Sequence, residues 1–95
     1  MTFEQMCNYI VKHRAVLEAT EMDPAVYTLE GIGKQLTACK EADFETADIA
    51  FAFYDKEKKE AKLTFIPISV DNGLNILQRL VDAAQNQSGW RNNRT

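Results

Sequence analysis

Two apolar runs separated by a charged stretch dominate the pattern of the chain: Ile49-Ala50-Phe51-Ala52-Phe53-Tyr54, then Asp55 to Lys62, then Leu63-Thr64-Phe65-Ile66-Pro67-Ile68. Aromatic and β-branched runs bounded by turn-forming polar residues favour strands, so this segment predicts a β-hairpin. In the first strand Ile49, Phe51 and Phe53 share one face, and Ala50, Ala52 and Tyr54 share the other. In the second, Leu63 and Phe65 alternate with Thr64, Ile66 and Ile68, and Pro67 belongs at an edge or at the strand's end because it has no ladder donor. The hairpin is expected to be the stability core, with Phe51 and Phe65 as its large buried rings. A lone hairpin is marginal in water, so helices must cover one face, and a second chain can complete the sheet.

Helical spacing accounts for the remaining apolar residues. Thr2-Phe3-Glu4-Gln5 has the form of a capping box, and Phe3, Met6, Cys7, Ile10, Arg14 and Leu17 recur on one face, which predicts a helix from Phe3 to about Thr20. Asp23-Pro24 forces that helix to end and sets a new start. Leu29, Ile32, Leu36 and Cys39 mark a second helix from Leu29 to Lys40 capped by Thr28, although Gly31 and Gly33 weaken it and residues 25–30 could instead supply an extra strand. Val70, Leu74, Leu77, Leu80, Val81 and Ala84 form the stripe of a last helix, with Asp71 as its expected cap. Beyond the stripe the residues are polar, Gly89 offers a stop, and residues 88–95 read as a flexible tail. The order α-α-β-β-α defines an α+β domain over residues 1–87, with helices packed on one face of a small antiparallel sheet.

Composition narrows the setting more than the chemistry. Ninety-five residues make one domain with a small core, and a formal net charge of -3 gives no general attraction to phosphate backbones or anionic lipid. No run approaches a membrane span, and Glu4, Lys12, His13 and Arg14 interrupt the apolar centre that a signal peptide needs, so the expectation is a cytoplasmic protein with no membrane partner. Cys7 and Cys39 are expected to stay reduced.

Residues with chemical potential are sparse, and none forms a recognisable site. Gly31-Ile32-Gly33-Lys34 lacks the glycine that a phosphate loop needs at position 28 and the hydroxyl it needs at 35, where Thr28 and Gln35 stand, so the glycines are read as sites of close packing or a bend. His13 has no ligand or base partner at matched spacing, since Cys7 lies about 240° around the same helix. Glu41, Asp43, Glu45 and Asp48 place four carboxylates in eight residues without the glycine turn of a calcium loop, and read as a solvated acidic connector or a negative surface for a basic partner. Trp90, Arg91 and Arg94 could stack on a base and contact phosphates, a thin footprint for nucleic acid. No cofactor is indicated.

These features favour a small non-enzymatic interaction protein: an adaptor, inhibitor or regulatory subunit that binds another protein. The candidate interaction residues are the alanine-rich strand face of Ala50, Ala52 and Tyr54, the acidic connector, and the tail residues Trp90, Arg91 and Arg94. A homodimer is expected, because a hairpin leaves unpaired edges and twofold pairing is the commonest closure. One alternative is a nucleic-acid role, through the tail or through acidic mimicry of nucleic acid. Another is a small enzyme with a site between subunits, for which Cys39 and Tyr54 are the candidate reactive groups.

Overall fold

The computed structural model describes the backbone of residues 1–94 and the side chains through residue 83. It contains helices α1 (Phe3–Lys12) and α2 (Arg14–Ala19), a 3-10 turn (Pro24–Val26), helix α3 (Leu29–Glu41), strands β1 (Thr46–Asp55) and β2 (Glu60–Ser69), and helix α4 (Val70–Arg94). With α1 and α2 taken as two halves of a bent first helix, the order is α-α-β-β-α around a two-stranded antiparallel sheet, a small α+β fold.

The capping box forms as the sequence indicates: Thr2 Oγ1 accepts from the Gln5 N–H at 3.2 Å, and Gln5 Oε1 accepts from the Thr2 N–H at 2.8 Å. The first helix does not run straight to Thr20. His13 leaves helical geometry (φ −106°, ψ 19°), and its ring lies 4.4 Å from that of Tyr9. A straight helix would carry Arg14 onto the buried face set by Phe3, Met6, Cys7 and Ile10. The bend leaves Arg14 exposed and still buries Leu17 completely.

Residues 25–30 form no third strand. Asp23 Oδ1 accepts from the Ala25 N–H at 2.9 Å to cap the 3-10 turn, and Thr28 Oγ1 accepts from the Gly31 N–H at 2.9 Å to cap α3. Proline at the first turn and a hydroxyl cap directly after it leave no extended segment for a sheet to recruit. Helix α3 then runs to Glu41, and Asp43 follows it with φ 62°. Asp71 does not precede α4 as a cap. It lies within the first turn, where its carboxylate suits the helix dipole and pairs with Lys40 at 2.6 Å.

The strands are longer and the turn shorter than the apolar runs suggest. Thr46 pairs with Ser69 at one end and Asp55 with Glu60 at the other. Asp55 Oδ1 accepts from the backbone of Lys58 and Glu57, and Lys62 lies 3.4 Å from Oδ2; these donors hold the Asp55 carboxyl below its ordinary pKa. Ile49 and Phe51 are buried against the helices, with Phe3 edge-on to Phe51 at 5.8 Å and Tyr9 stacked on Phe53 at 4.4 Å.

Phe65 overturns its expected place in the core. Its ring is 59% exposed, whereas Phe51 is fully buried. Phe51 faces Thr64 across the ladder, while Phe65 faces Ala50 on the opposite side of the sheet, so the two phenylalanines belong to different faces.

Candidate interaction surface

The two edges of the hairpin are treated differently. In an antiparallel ladder, backbone groups point alternately toward the paired strand and away from it. The Val70 N–H donates to the Glu45 carbonyl at 2.9 Å in the same register, which turns the odd-numbered residues of β1 inward and the even-numbered ones outward. Ala50 and Tyr54 of β1 therefore present their N–H and C=O groups to the outer edge. By the same pairing, Ala61, Leu63 and Phe65 present theirs along the outer edge of β2, where Pro67 presents only a C=O.

Side chains close the β1 edge. Gln35 of α3 accepts from the Ala50 N–H at 3.0 Å and donates to the Ala50 carbonyl at 3.0 Å, reproducing with one amide the two bonds that a neighbouring strand would make. Its Nε2 also donates to the Ala25 carbonyl at 2.9 Å, tying the 3-10 turn to the sheet. One turn of strand away, the Tyr9 hydroxyl accepts from the Tyr54 N–H at 3.2 Å and donates to the Tyr54 carbonyl at 3.4 Å. Covering an edge in this way removes a template for strand addition.

The β2 edge has no such cover among the described residues. The outward groups of Ala61, Leu63 and Phe65 make no backbone or side-chain bond outside the ladder there. Leu63 is 48% exposed and Phe65 59%, and they sit on one face of this strand, separated only by Thr64. A shallow depression of about 380 Å³ lined by Met1, Met6, Phe53, Thr64, Phe65 and Ile66 reaches the edge at Phe65. An open edge beside apolar side chains offers main-chain hydrogen bonds for affinity and side-chain contacts for selection.

The expected site residues are dispersed. Ala52 is fully buried inside the chain, which corrects its assignment to a partner-facing surface; Ala50 and Tyr54 are half-buried, with their outward backbone groups already bonded. Glu41, Asp43, Glu45 and Asp48 are all exposed. They gather at the end of the hairpin away from its turn, near Asp71. Trp90, Arg91 and Arg94 lie outside the residues whose side chains are described; the backbone there continues α4 to Arg94, so Gly89 does not stop the helix as the sequence suggests.

Burial, reinforced by the nearby charge of Glu4, pushes the Cys7 thiol up to about 12, so it stays protonated at neutral pH and is a poor nucleophile. Cys39 is half-buried and unpaired, and Tyr54 engages Tyr9 through its backbone. An open groove of about 420 Å³ between α3 and α4 is lined by Gly33, Leu74, Leu77 and Val81, with Glu30 and Lys34 at 3.7 Å from one another along its rim. No buried side-chain nitrogen or oxygen lacks a partner among the described residues, and the polar groups that line this groove, Thr37 and Glu41 among them, are exposed.

Sequence reasoning missed Gln35, Tyr9, Leu63 and Phe65 as the residues that distinguish the two edges. One signal was present: Pro67 must turn its missing donor away from β1, which places Leu63 and Phe65, of the same parity, along the outer edge. Nothing in the sequence marks Gln35, because its role depends on where α3 crosses β1.

The chain matches no protein-family model, no curated protein and no solved structure at a significant level, so function is read from its own geometry.

Proposed function

We propose that this chain is a cytoplasmic, non-enzymatic interaction protein that binds a protein partner by strand pairing at the β2 edge, in the manner of an adaptor, inhibitor or regulatory subunit. One observation carries the reading: Gln35 and Tyr9 occupy the β1 edge, while the parallel set of groups on β2 is left open beside exposed Leu63 and Phe65. Two unpaired cysteines, one of them fully buried, fit a reducing compartment. No helix among the described residues is long and apolar enough to cross a membrane.

The test is site-specific photo-crosslinking in the native host. A photoreactive phenylalanine analogue at position 65 should give protein adducts, and the same analogue at Phe44, which is 60% exposed and stands beyond the Pro67 end of the open edge, should not. Adducts at position 44 alone would move the surface elsewhere. Protein adducts at neither position would contradict the interaction reading.

A further inference from the structure

Resting on that reading of the β2 edge, we infer that the partner is a second copy of this chain, paired antiparallel through β2 about a twofold axis to make a four-stranded sheet.

Self-complementarity of the strand is the first support. Twofold antiparallel pairing places side chains of one face beside the same face of the second copy, so the exposed Leu63 and Phe65 are covered by residues of that same face. Pro67 restricts the register. Its ring projects where a ladder donor would stand, so pairing must end before it. Centring the axis on Leu63 meets this condition: Leu63 faces Leu63 of the second copy, Ala61 faces Phe65, and each of these residues has both a donor and an acceptor for the new ladder. Centring on Thr64 would oppose Pro67 to Ala61 and leave an Ala61 carbonyl without its donor.

Charge is the second, independent support. At the turn end of the hairpin Lys62 is engaged by Asp55, and Lys56, Lys58 and Lys59 outnumber the remaining Glu57 and Glu60. At the opposite end Asp43, Glu45, Asp48 and Asp71 outnumber Lys40, whose charge is already engaged by Asp71. Antiparallel pairing brings the lysine-rich turn of each copy beside the acidic end of the other, whereas a parallel arrangement would juxtapose like charges. Complementary ends steer association and fix its direction. The β1 edge, blocked by Gln35 and Tyr9, limits growth to two copies, because each chain contributes one open edge.

Light scattering coupled to size-exclusion chromatography, run over a concentration series on the full chain, tests the inference. The expected mass is twice that of the chain at high concentration and falls toward one chain on dilution or with added salt. Leu63→Lys or Phe65→Lys should shift the species to one chain while far-UV circular dichroism stays unchanged, and Phe44→Ala, which removes an exposed ring without changing the charge of the acidic end, should leave the dimer intact. Reversing Lys58 and Lys59 to glutamate should weaken association about tenfold, and adding Glu45→Lys with Asp48→Lys should restore it. A single-chain mass at every concentration overturns self-pairing. So does a dimer that survives both β2 substitutions. The broader reading stands in either case if position 65 crosslinks to a different protein, and falls only if it crosslinks to none.

Discussion

Phe51→Ala should destabilise the domain by about 3 to 5 kcal/mol, and Phe65→Ala by no more than about 1 kcal/mol. Phe51 is fully buried, contacts Phe3 edge-on, and sits at the centre of the sheet face covered by the helices. Truncation there removes a large apolar group and leaves a cavity that rigid neighbours fill only in part. A loss of that size is a large share of a small domain's total stability. Phe65 is 59% exposed, so water already reaches much of its ring before the substitution. Urea unfolding of dilute protein gives the comparison, with dilution keeping any self-association out of the measured stability. Similar losses at both positions would mean that the two sheet faces have been assigned wrongly.

Gly31→Ala should cost about 3 kcal/mol despite the better helix propensity of alanine. Propensity alone favours the substitution by about 1 kcal/mol. An alanine Cβ at position 31, however, would collide with the Ala25 Cα and stand 2.6 Å from the Pro24 carbonyl oxygen and 2.7 Å from the Ala25 carbonyl carbon. These are backbone atoms, so relief requires the 3-10 turn to move away from α3. That movement would also pull the Ala25 carbonyl from Gln35, whose amide group closes the β1 edge at Ala50. The expected signature is therefore a lower urea midpoint together with faster amide exchange at Ala50. A midpoint that rises, as propensity alone would give, would contradict the close packing of the turn on α3.

The sequence made the hairpin, the capped first helix and the last apolar stripe legible because each rests on local periodicity or a short capping pattern. The bend at His13 was visible only indirectly, as Arg14 standing in an otherwise apolar stripe; choosing between a bent helix and a buried arginine requires knowing what packs there. Residues 25–30 were ambiguous because Ala25-Val26-Tyr27-Thr28 suits a strand by composition. Asp23, Pro24 and Thr28 decide for turn and helix once their capping bonds form. The interaction surface was the least legible part. Ala52 was expected outside because alternation gives two sheet faces without saying which the chain covers, and α2 and the 3-10 turn pack on β1 as well as α1 and α3, which buries this residue too. Phe65 was expected inside for the complementary reason: α2 and the 3-10 turn pack on β1 rather than β2, so a large ring on this face of β2 remains uncovered. Of the two readings of glycines 31 and 33, close packing or a bend, the structure shows the first, with the Ala25 backbone and Leu77 as their respective neighbours inside an unbroken α3.

Residue-resolved amide hydrogen exchange tests the central claim, the unequal treatment of the two sheet edges, most directly. In dilute protein the Ala50 and Tyr54 amides, which donate to Gln35 and Tyr9, should be protected, whereas the Ala61, Leu63 and Phe65 amides should exchange rapidly and become protected when a partner strand docks. Rapid exchange at Ala50 and Tyr54, or equal protection of both edges in dilute protein, would contradict the account.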